Sequence, residues 1–351
     1  MSTLKKIFRY PIKGLSGENL NEILLEKNQV SPGDREYAFA RSHVSFDESN
    51  PVYLRKTNFL ALVKEDKLAK LNTKFISKSK RLIIKVDNKI VLDEMLINEI
   101  NINKVEVFFQ KFLNLGDNNK PKLVKGRKNE NTKNLKHSFS DLPEKAISII
   151  NLNTIVDFEK KIGKKIAASR FRANLLIDDI DPWKEFDWIG KKIKIGESVL
   201  EVFKRTQRCA ATNVNPENAI RDINIPNEIN SYFGHLDLGV YAKVKKTGII
   251  SVNDELHLNW KIFFKEDTIS SIQEKNKFKE MGFFKLWFYS TVFFLTFPIS
   301  LIFCLLFFGL KETKQFITVL IKDYVQTILV IFILSLSILI FLIYYITSLF
   351  N

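Results

Sequence analysis

The sequence predicts a mainly β protein with a few helices, followed by a two-helix transmembrane hairpin. Short apolar-rich segments recur at regular spacing through residues 1–260, a pattern that is typical of barrels and sandwiches. No glycine-rich G-x-G-x-x-G turn opens a β–α–β unit, so a Rossmann cofactor site is not indicated. Two long runs near the C-terminus contain no charged residue, which indicates membrane-spanning helices.

Residues 1–112 are predicted to be mostly β. The clearest element is a hairpin over 81–92, in which apolar residues flank the turn pair Asp87-Asn88. Residues 113–140 are polar and rich in lysine and asparagine, so they are predicted to form a long loop or linker. The other strands predicted in this part are 5–12, 23–30, 35–41, 60–63 and 105–109.

Residues 141–260 are predicted to form a second β-rich domain that includes one helix. The helix is expected to start at Asn153 or Thr154 and to end at Gly163, because Asn and Thr favour helix starts and glycine favours helix ends. The strands predicted here are 148–150, 173–177, 192–195, 198–204 and a hairpin of 239–244 with 249–258 around Thr247-Gly248.

The C-terminal segment 285–351 is predicted to be a transmembrane hairpin that follows a basic linker at 261–284. Its two uncharged runs, at about 286–310 and 324–350, exceed the roughly 20 apolar residues that span a bilayer. The alternative is a pair of buried core helices. Lysines before the first run and between the runs favour a soluble part that faces the cytoplasm. Neither run contains an ionisable residue, so anchoring is favoured over transport.

Charge and cysteine content narrow the classes of function. The net charge of +15 could reflect nucleic-acid binding, attraction to anionic lipid, or a general bias toward lysine. No arginine-rich tail or repeated aromatic–basic pattern supports nucleic acid as a partner. The two cysteines, Cys209 and Cys304, lie in very different contexts, which argues against a disulfide framework. No Cys-x-x-Cys pair occurs, so an Fe–S cluster or a cysteine-held zinc site is not predicted.

Cys209 lies in the most informative run of the chain. It is flanked by Lys204, Arg205 and Arg208, and hydroxyl and amide side chains follow it. Positive charge favours the thiolate, which is the nucleophilic and metal-binding form of cysteine. The run therefore indicates a soft ligand in a loop that attracts anions, and such a loop suits a negatively charged cofactor that carries a soft metal.

Six segments together resemble one family. They are Tyr10-Pro-Ile-Lys-Gly14, Gly33-Asp-Arg35, Ser169-Arg-Phe-Arg-Ala-Asn174, Gly196-Glu-Ser-Val-Leu-Glu201, Arg208-Cys-Ala-Ala-Thr-Asn-Val-Asn-Pro216 and Gly234-His-Leu-Asp-Leu-Gly-Val-Tyr241. In this order they resemble the MOSC family, named for the C-terminal domain of molybdenum cofactor sulfurase, and they are similar to its amidoxime-reducing members. The resemblance covers about residues 1–260. It implies an N-terminal β-barrel domain at 1–112 and a MOSC β-barrel domain at 141–260.

The resemblance also implies a site for the molybdenum cofactor, a pterin with a dithiolene and a terminal phosphate. Cys209 matches the cysteine that ligates molybdenum in the amidoxime-reducing members and handles sulfur in the sulfurase members. Arginine and lysine suit the phosphate, and asparagine can pair with the pterin. The expected cofactor-binding residues are Lys13, Arg35, Arg172, Asn174, Arg208, Thr212 and Asn213. Arg170 and His235 are expected to have structural roles.

The resulting hypothesis is a membrane-anchored oxidoreductase that reduces small N-hydroxylated or related oxygen-bearing substrates at a molybdenum held by Cys209. The chain has no flavin, haem or Fe–S motif, so a separate redox partner has to supply electrons. Two alternatives stay open. One is a sulfur carrier or cofactor-handling protein that uses a persulfide on Cys209. The other is a non-catalytic, membrane-tethered binding module.

Overall fold

The computed structural model describes residues 2–126, residues 137–258 and seven single residues beyond them. The chain divides into two units, Met1–Trp260 and Lys261–Asn351. The seven single residues, all in the second unit, are Thr296, Ile299, Leu301, Cys304, Leu306, Thr313 and Ile317.

Strands dominate the described part of the first unit. The strands are β1 Ser2–Arg9, β2 Glu18–Leu20, β3 Glu22–Leu25, β4 Tyr37–Ala40, β5 Asn72–Ile76, β6 Arg81–Val86, β7 Lys89–Met95, β8 Lys122–Lys125, β9 Ile147–Asn151, β10 Leu175–Asp178, β11 Lys192–Ile195, β12 Ser198–Gln207, β13 Asp237–Lys246, β14 Gly248–Ser251 and β15 Glu255–Leu258. The α-helices are α1 Glu99–Phe112, α2 Leu152–Ile162 and α3 Ile225–Phe233.

A closed barrel of seven strands forms the centre of this unit. Its hydrogen-bonded order is β10, β9, β13, β12, β11, β15 and β1, and the pairing of β1 with β10 closes the ring. β9 and β10 run parallel, whereas the other neighbours in the ring are antiparallel. β2 extends the sheet by pairing with β1. The first strand of the chain therefore completes a barrel whose other strands all lie after residue 146.

Alternating side chains fill the barrel, because a strand sends successive residues to opposite faces of the sheet. Ile193 and Ile195 of β11 and Val240 and Ala242 of β13 are fully buried in the same core cluster. Trp188, from a 3-10 turn between β10 and β11, is 1% exposed and packs into this core. Burying each large aliphatic side chain contributes about 1.5–3 kcal/mol, so the barrel is a firm base for the loops at its ends.

The predicted helix after residue 153 is confirmed as α2, although it begins slightly earlier. The Asn151 side chain accepts a hydrogen bond from the Asn153 amide at 3.0 Å and caps the first turn. Gly163 ends the helix at φ +66°, a left-handed conformation in which glycine carries no Cβ penalty. Ile155 and Phe158 lie one turn apart and are buried in a second cluster with residues of β9 and β10.

Before residue 127 the structure differs from the expected N-terminal barrel. Within the described residues, β4 pairs with β8, β5–β6–β7 form a three-stranded sheet, and β1 joins the central barrel instead. Apolar patterning indicates that a strand has a buried face, but it does not specify the partner strand, and for this reason the barrel prediction failed here. The division into separate domains at residue 112 stays a prediction.

Three strand predictions are corrected. Residues 60–63 do not form a strand, because residues 60–61 have no regular structure and residues 62–63 lie in a turn. Residues 105–109 belong to α1, in which Val105 and Phe109 lie four residues apart on one buried face. A short apolar run fits a buried strand and a buried helix equally well, so the pattern alone could not decide. Residues 249–258 do not form a hairpin with 239–244, because β14 pairs with β3 and β15 pairs with β11 and β1. The hairpin at Asp87-Asn88 is confirmed, with φ +49° and +63° at the turn.

The predicted transmembrane hairpin is also corrected. Among the described residues, no helix combines the length and the apolar character needed to cross a membrane. A span requires a continuous helix of roughly 20 residues, whereas the prediction rested on uncharged composition alone. The membrane anchor and the cytoplasm-facing orientation inferred from it are therefore not supported. Apart from five single positions in 286–310, both predicted runs lie outside the described residues.

His137 provides a test of pH-dependent stability. Its ring packs against Phe46 and Phe139, at centroid distances of 5.7 and 5.0 Å. Burial, assisted by Lys145, lowers the pKa of His137 to about 4. Between that value and the unfolded value of about 6.5, only the unfolded chain takes up the proton. Stability is therefore expected to fall as the pH drops through this window.

Urea unfolding at a series of pH values checks this expectation. The variant His137→Phe keeps an aromatic ring in the cluster and should lose that part of the pH dependence. An identical acid slope in the wild type and the variant would contradict the assignment.

Candidate functional site

A cavity of about 280 Å³ lies beside the C-terminal end of β12. Its walls come from loops after β1 and β4, from the segments 140–148 and 170–174, and from residues 204–212. Of the side chains that the structure describes, eight basic and two acidic ones line it, so its electrostatic potential favours anions. The basic residues are Lys13, Arg35, Lys56, Arg170, Arg172, Lys204, Arg205 and Arg208, and the acidic ones are Asp34 and Asp141.

Cys209 lies in the wall of this cavity, immediately after β12. It precedes a 3-10 turn at Ala210–Asn213, and its carbonyl accepts hydrogen bonds from the Thr212 amide at 3.0 Å and the Thr212 hydroxyl at 2.8 Å. These bonds fix the backbone that carries the thiol. The residue is partly exposed, and its Sγ accepts a hydrogen bond from Lys56 Nζ at 3.1 Å. The thiol therefore has a polar, partly exposed environment and is not buried in the hydrophobic core.

Lys56 is the cation that contacts the thiol, and sequence reasoning missed it. Its Nζ also lies 3.6 Å from Asp141 Oδ2. Burial alone would lower the pKa of Lys56, but Asp141 and Cys209 outweigh burial and raise it. The ammonium therefore keeps its charge while it donates to the sulfur.

The three basic residues that flank Cys209 in sequence do not contact the sulfur in this way. Arg208 donates to the carbonyl of Leu238 and to that of Phe171 at 3.2 Å, and Arg205 lies over the Phe186 ring at 4.3 Å. Neighbours in a strand point alternately to opposite faces, so closeness in sequence is a poor guide to which charge meets the thiol.

Lys56→Met is expected to slow the alkylation of Cys209 by iodoacetamide severalfold at neutral pH, because a cation beside a cysteine generally increases its reactivity and this change removes the ammonium that donates to Sγ. Lys56→Arg should retain most of the rate. Peptide mass analysis after timed labelling distinguishes Cys209 from Cys304. Equal rates in the wild type and Lys56→Met would show that the contact has no effect on the thiol.

Lys13 is the buried end of the same charge cluster, and its partner Asp141 has a side chain that is 44% exposed. Lys13, 5% exposed, donates from Nζ to Asp141 Oδ1 at 2.5 Å and to the Phe139 carbonyl at 2.8 Å. Burial lowers the pKa of Lys13 more than Asp141 raises it. Burial would raise the pKa of Asp141, but Lys13 and Lys56 outweigh burial and hold it well below its usual range. Asp141 is therefore an anion that orients two lysines, and no local sequence pattern indicated this role.

Arg35 and Arg172 lie over one aromatic ring. Their guanidinium carbons lie 5.0 and 4.3 Å from the centroid of Tyr10. Arg35 donates to Asp34 Oδ2 and, at 3.0 Å, to the Arg172 carbonyl. Burial works against the charge of Arg35, but Asp34 and Asp141 outweigh it and raise the pKa. Burial dominates for Arg172 and lowers its pKa to about 10.

Three buried polar atoms of this cavity have no hydrogen-bond partner within the described residues. They are Arg170 Nε, Arg172 Nη2 and Thr206 Oγ1. A buried donor without a partner costs about 1–3 kcal/mol, so native proteins rarely keep several in one place without a ligand or ordered water. Two of the three belong to arginines. The cavity therefore suits a ligand that is rich in acceptor atoms or anionic.

Two expected cofactor-binding residues already make bonds within the protein. The Asn174 Oδ1 accepts from the Ser148 amide at 3.1 Å and the Ser148 hydroxyl at 2.9 Å, and its Nδ2 donates to the Phe8 carbonyl at 3.3 Å. Asn174 thereby joins β9, β10 and β1. Arg208, through the carbonyls named above, joins β12 to β13. Both residues line the cavity, but the side-chain amide of Asn174 and the guanidinium of Arg208 bond to the protein itself and hold the cavity wall in place.

The remaining predicted residues divide between the cavity and its surroundings. Thr212 lines the cavity, whereas Asn213 does not and instead accepts from the Ile225 amide at 3.1 Å, at the start of α3. Arg170 forms the expected structural ion pair, with Asp222 at 2.7 Å. His235 lies among the rings of Trp183, Phe186 and Phe233, outside the cavity lining. Within the described part of the chain, no cluster of three His, Cys, Asp or Glu residues could hold a metal ion.

Comparison with known families accounts for this arrangement. The MOSC domain model matches residues 134–257, the segment that supplies six of the seven barrel strands and Cys209. Residues 134–257 form a MOSC domain. The resemblance to the MOSC family inferred from the sequence motifs is thus confirmed for residues 134–257.

The curated relatives resemble this chain at low identity and over a limited length. Human mitochondrial amidoxime-reducing component 1 is 27% identical over 122 residues, which is 31% of this chain and 36% of the relative. Rat mitochondrial amidoxime reducing component 2 is 24% identical over 123 residues, which is 32% of this chain and 36% of the relative. The chain thus matches little more than a third of the length of these relatives.

Solved structures also resemble the chain. The YUAD protein from Bacillus subtilis aligns with 73% of this chain and 94% of its own, at 11% identity and a TM-score of 0.34. YiiM from Geobacillus stearothermophilus aligns with 32% of this chain and 53% of its own, at 20% identity and a TM-score of 0.26.

The MOSC domain does not complete the cavity by itself. Lys13, Arg35 and Lys56 line the cavity but precede the matched segment, as does β1 of the barrel. The thiol and its contacting cation therefore come from two distant parts of the chain.

Proposed function

We propose that this chain is a molybdenum-dependent oxidoreductase that holds the molybdenum cofactor in the cavity, with Cys209 as a protein ligand of the metal. The observation that carries the proposal is the presence of unpartnered donors of Arg170 and Arg172 in the same cavity as the thiol. A ligand with an anionic phosphate and a soft metal would satisfy both features at once.

Lys13, Arg35 and Arg172 are the residues suited to the anionic part of the cofactor. Arg172 offers a free donor, and arginine matches phosphate with two parallel hydrogen bonds, whereas lysine acts as a point charge. Thr206 adds a hydroxyl without a partner in the described residues. Asn174 has its amide bonded to Ser148, so we assign it the role of holding the wall in shape rather than that of pairing with the pterin.

The bound cofactor would supply two-electron removal of an oxygen atom from an N-hydroxylated or related substrate. The chain would supply the surroundings. Lys56 keeps a positive charge next to Sγ, which supports an anionic sulfur as ligand. Burial raises the pKa of Tyr241, which lines the cavity, so its phenol stays protonated and can donate a hydrogen bond. The Lys56 ammonium and the Tyr241 phenol would each donate a hydrogen bond to the oxygen atom of a bound substrate.

Electrons have to come from another protein under this proposal. The chain contains no flavin, haem or Fe–S motif, so a separate redox partner would reduce the metal after each turnover. The distant relatives whose names include amidoxime reduction support the substrate class, N-hydroxylated compounds, at the level of similarity only.

Metal and pterin analysis of the full chain tests the proposal. Protein made in a host that synthesises molybdenum cofactor should contain molybdenum near one per chain and should turn over an amidoxime with a reduced viologen dye. Protein from a host unable to make the cofactor is the matched control. Pterin without turnover, together with a cyanide-labile sulfur, would instead favour the sulfur-carrier alternative. If the first preparation contained no molybdenum and no pterin, cofactor binding would be refuted.

A further inference from the structure

Arg221 joins two walls of the cavity without lining it. Its Nη1 donates to the Ala210 carbonyl at 2.8 Å, directly after Cys209. Its Nη2 donates to the carbonyls of Leu62 at 2.8 Å and Val63 at 3.2 Å. A single guanidinium thus connects the segment that carries the thiol with a loop from the N-terminal part of the chain.

The position of Arg221 is fixed by a closed loop. Val214 and Arg221 form an antiparallel bridge, and the Asn215 amide donates to the Ile220 carbonyl at 2.7 Å. Ala219, at φ +61°, makes the tight turn between them. On the other side, Asp66 Oδ2 lies 3.4 Å from Arg221 Nε. The arginine is therefore held at its backbone and at both ends of its guanidinium.

The segments that Arg221 joins present aliphatic groups to the cavity. Ala61, Leu62 and Val63 line it on one side, and Ala211 lines it next to the thiol segment. The rigid fork of an arginine can bond several carbonyls at once, whereas a lysine ammonium cannot reproduce that geometry. Arg221 is therefore one of two side chains, with Lys56, that hold the loop after β4 against the thiol segment, and it is the one that bonds the backbone of both.

We propose that Arg221 is a positioning residue that fixes the opening beside Cys209 and so limits the size of the molecules that reach Sγ. The aliphatic lining on both sides indicates compact molecules with an apolar flank. The inference rests on the proposed function only where it treats those molecules as substrates, since the size limit itself is a property of the chain.

Two alkylating reagents of different size test this inference in protein without cofactor. Iodoacetamide is small, and a pyrene-bearing iodoacetamide is bulky. Both react with the thiolate, so the ratio of their rate constants at Cys209 cancels any change in its ionised fraction. Peptide mass analysis separates Cys209 from Cys304. In Arg221→Gln the rate constant of the pyrene reagent divided by that of iodoacetamide is expected to rise about fivefold. The reason is that the loss of these hydrogen bonds lets the two segments move apart.

Arg81→Gln is the matched control, because Arg81 is also an exposed, ion-paired arginine but lies with Asp93 on the β6–β7 hairpin. Its ratio should equal that of the wild type. Arg221→Lys, which keeps the charge, should still raise the ratio and serves if Arg221→Gln does not fold. A wild-type ratio in a folded Arg221 variant, or an equal rise in Arg81→Gln, would overturn the inference. Failure to find molybdenum would refute the proposed function and leave this measurement valid.

Discussion

Cys209→Ser is expected to lose molybdenum and to lower turnover at least about a hundredfold, while the fold remains intact. The thiolate is a soft anionic ligand, whereas a serine hydroxyl stays protonated and is a poor ligand for a soft metal. The residue is partly exposed and the change is nearly isosteric, so the free energy of unfolding should change by only about 0.5 kcal/mol. Molybdenum content per folded chain and turnover with an artificial reductant are the measurements.

Cys304→Ser is the natural control for this experiment. Cys304 is the second free cysteine of the chain and does not line the cavity. Its replacement should leave both metal content and turnover unchanged. Full molybdenum and full activity in folded Cys209→Ser would show that the sulfur is not a ligand, whatever else the cavity binds.

The second large effect is expected from a matched pair of arginines. Arg172→Gln should lose most of its bound cofactor but remain within about 1 kcal/mol of wild-type stability, because its Nη2 has no protein partner in the described residues. Arg208→Gln should lose about 3 kcal/mol of stability, because a buried guanidinium that serves the Leu238 and Phe171 carbonyls leaves both of them unsatisfied.

Denaturant unfolding and the fluorescence of the oxidised pterin separate the two outcomes. The pterin content is referred to the folded fraction, so that instability is not mistaken for weak binding. If Arg172→Gln kept a full complement of pterin, the free donor would have no role in anion binding. If Arg208→Gln were as stable as the wild type, the carbonyl bonds would be dispensable.

Most of the predicted site residues lie in one cavity, whereas the contact between Lys56 and the thiol was not predicted. Seven of the eight predicted site residues line one cavity, and only Asn213 does not. Lys56 and Asp141 were missed because neither lies in a recognisable motif. The hydrogen bond from Lys56 to Cys209 joins residues 153 positions apart, and no local pattern encodes such a pairing. Whether these residues bind a cofactor stays a prediction until metal analysis is done.

The same contrast between local and long-range contacts holds for the fold, because the elements that depend on local residues were predicted. The turn at Asp87-Asn88 and the end of α2 at Gly163 depend on residues that adopt positive φ, which a sequence shows directly. The partners of β1 and β14 depend on contacts across the whole first unit. The prediction of membrane spans after residue 285 used only the length and composition of two charge-free runs. Among the described residues, no helix could cross a membrane.

The place of β1 in the ring has a consequence for biosynthesis. Ser2 pairs with Leu256 and Thr3 with Asp178, so β1 is synthesised long before the strands that flank it in the barrel. Until then Leu4 and Ile7, which are buried in the finished molecule, lack the barrel strands that cover them, and exposed apolar residues of this kind promote aggregation. Pairing across such separations is slow, so a nascent chain of this kind is expected to benefit from chaperones that cover β1 during translation.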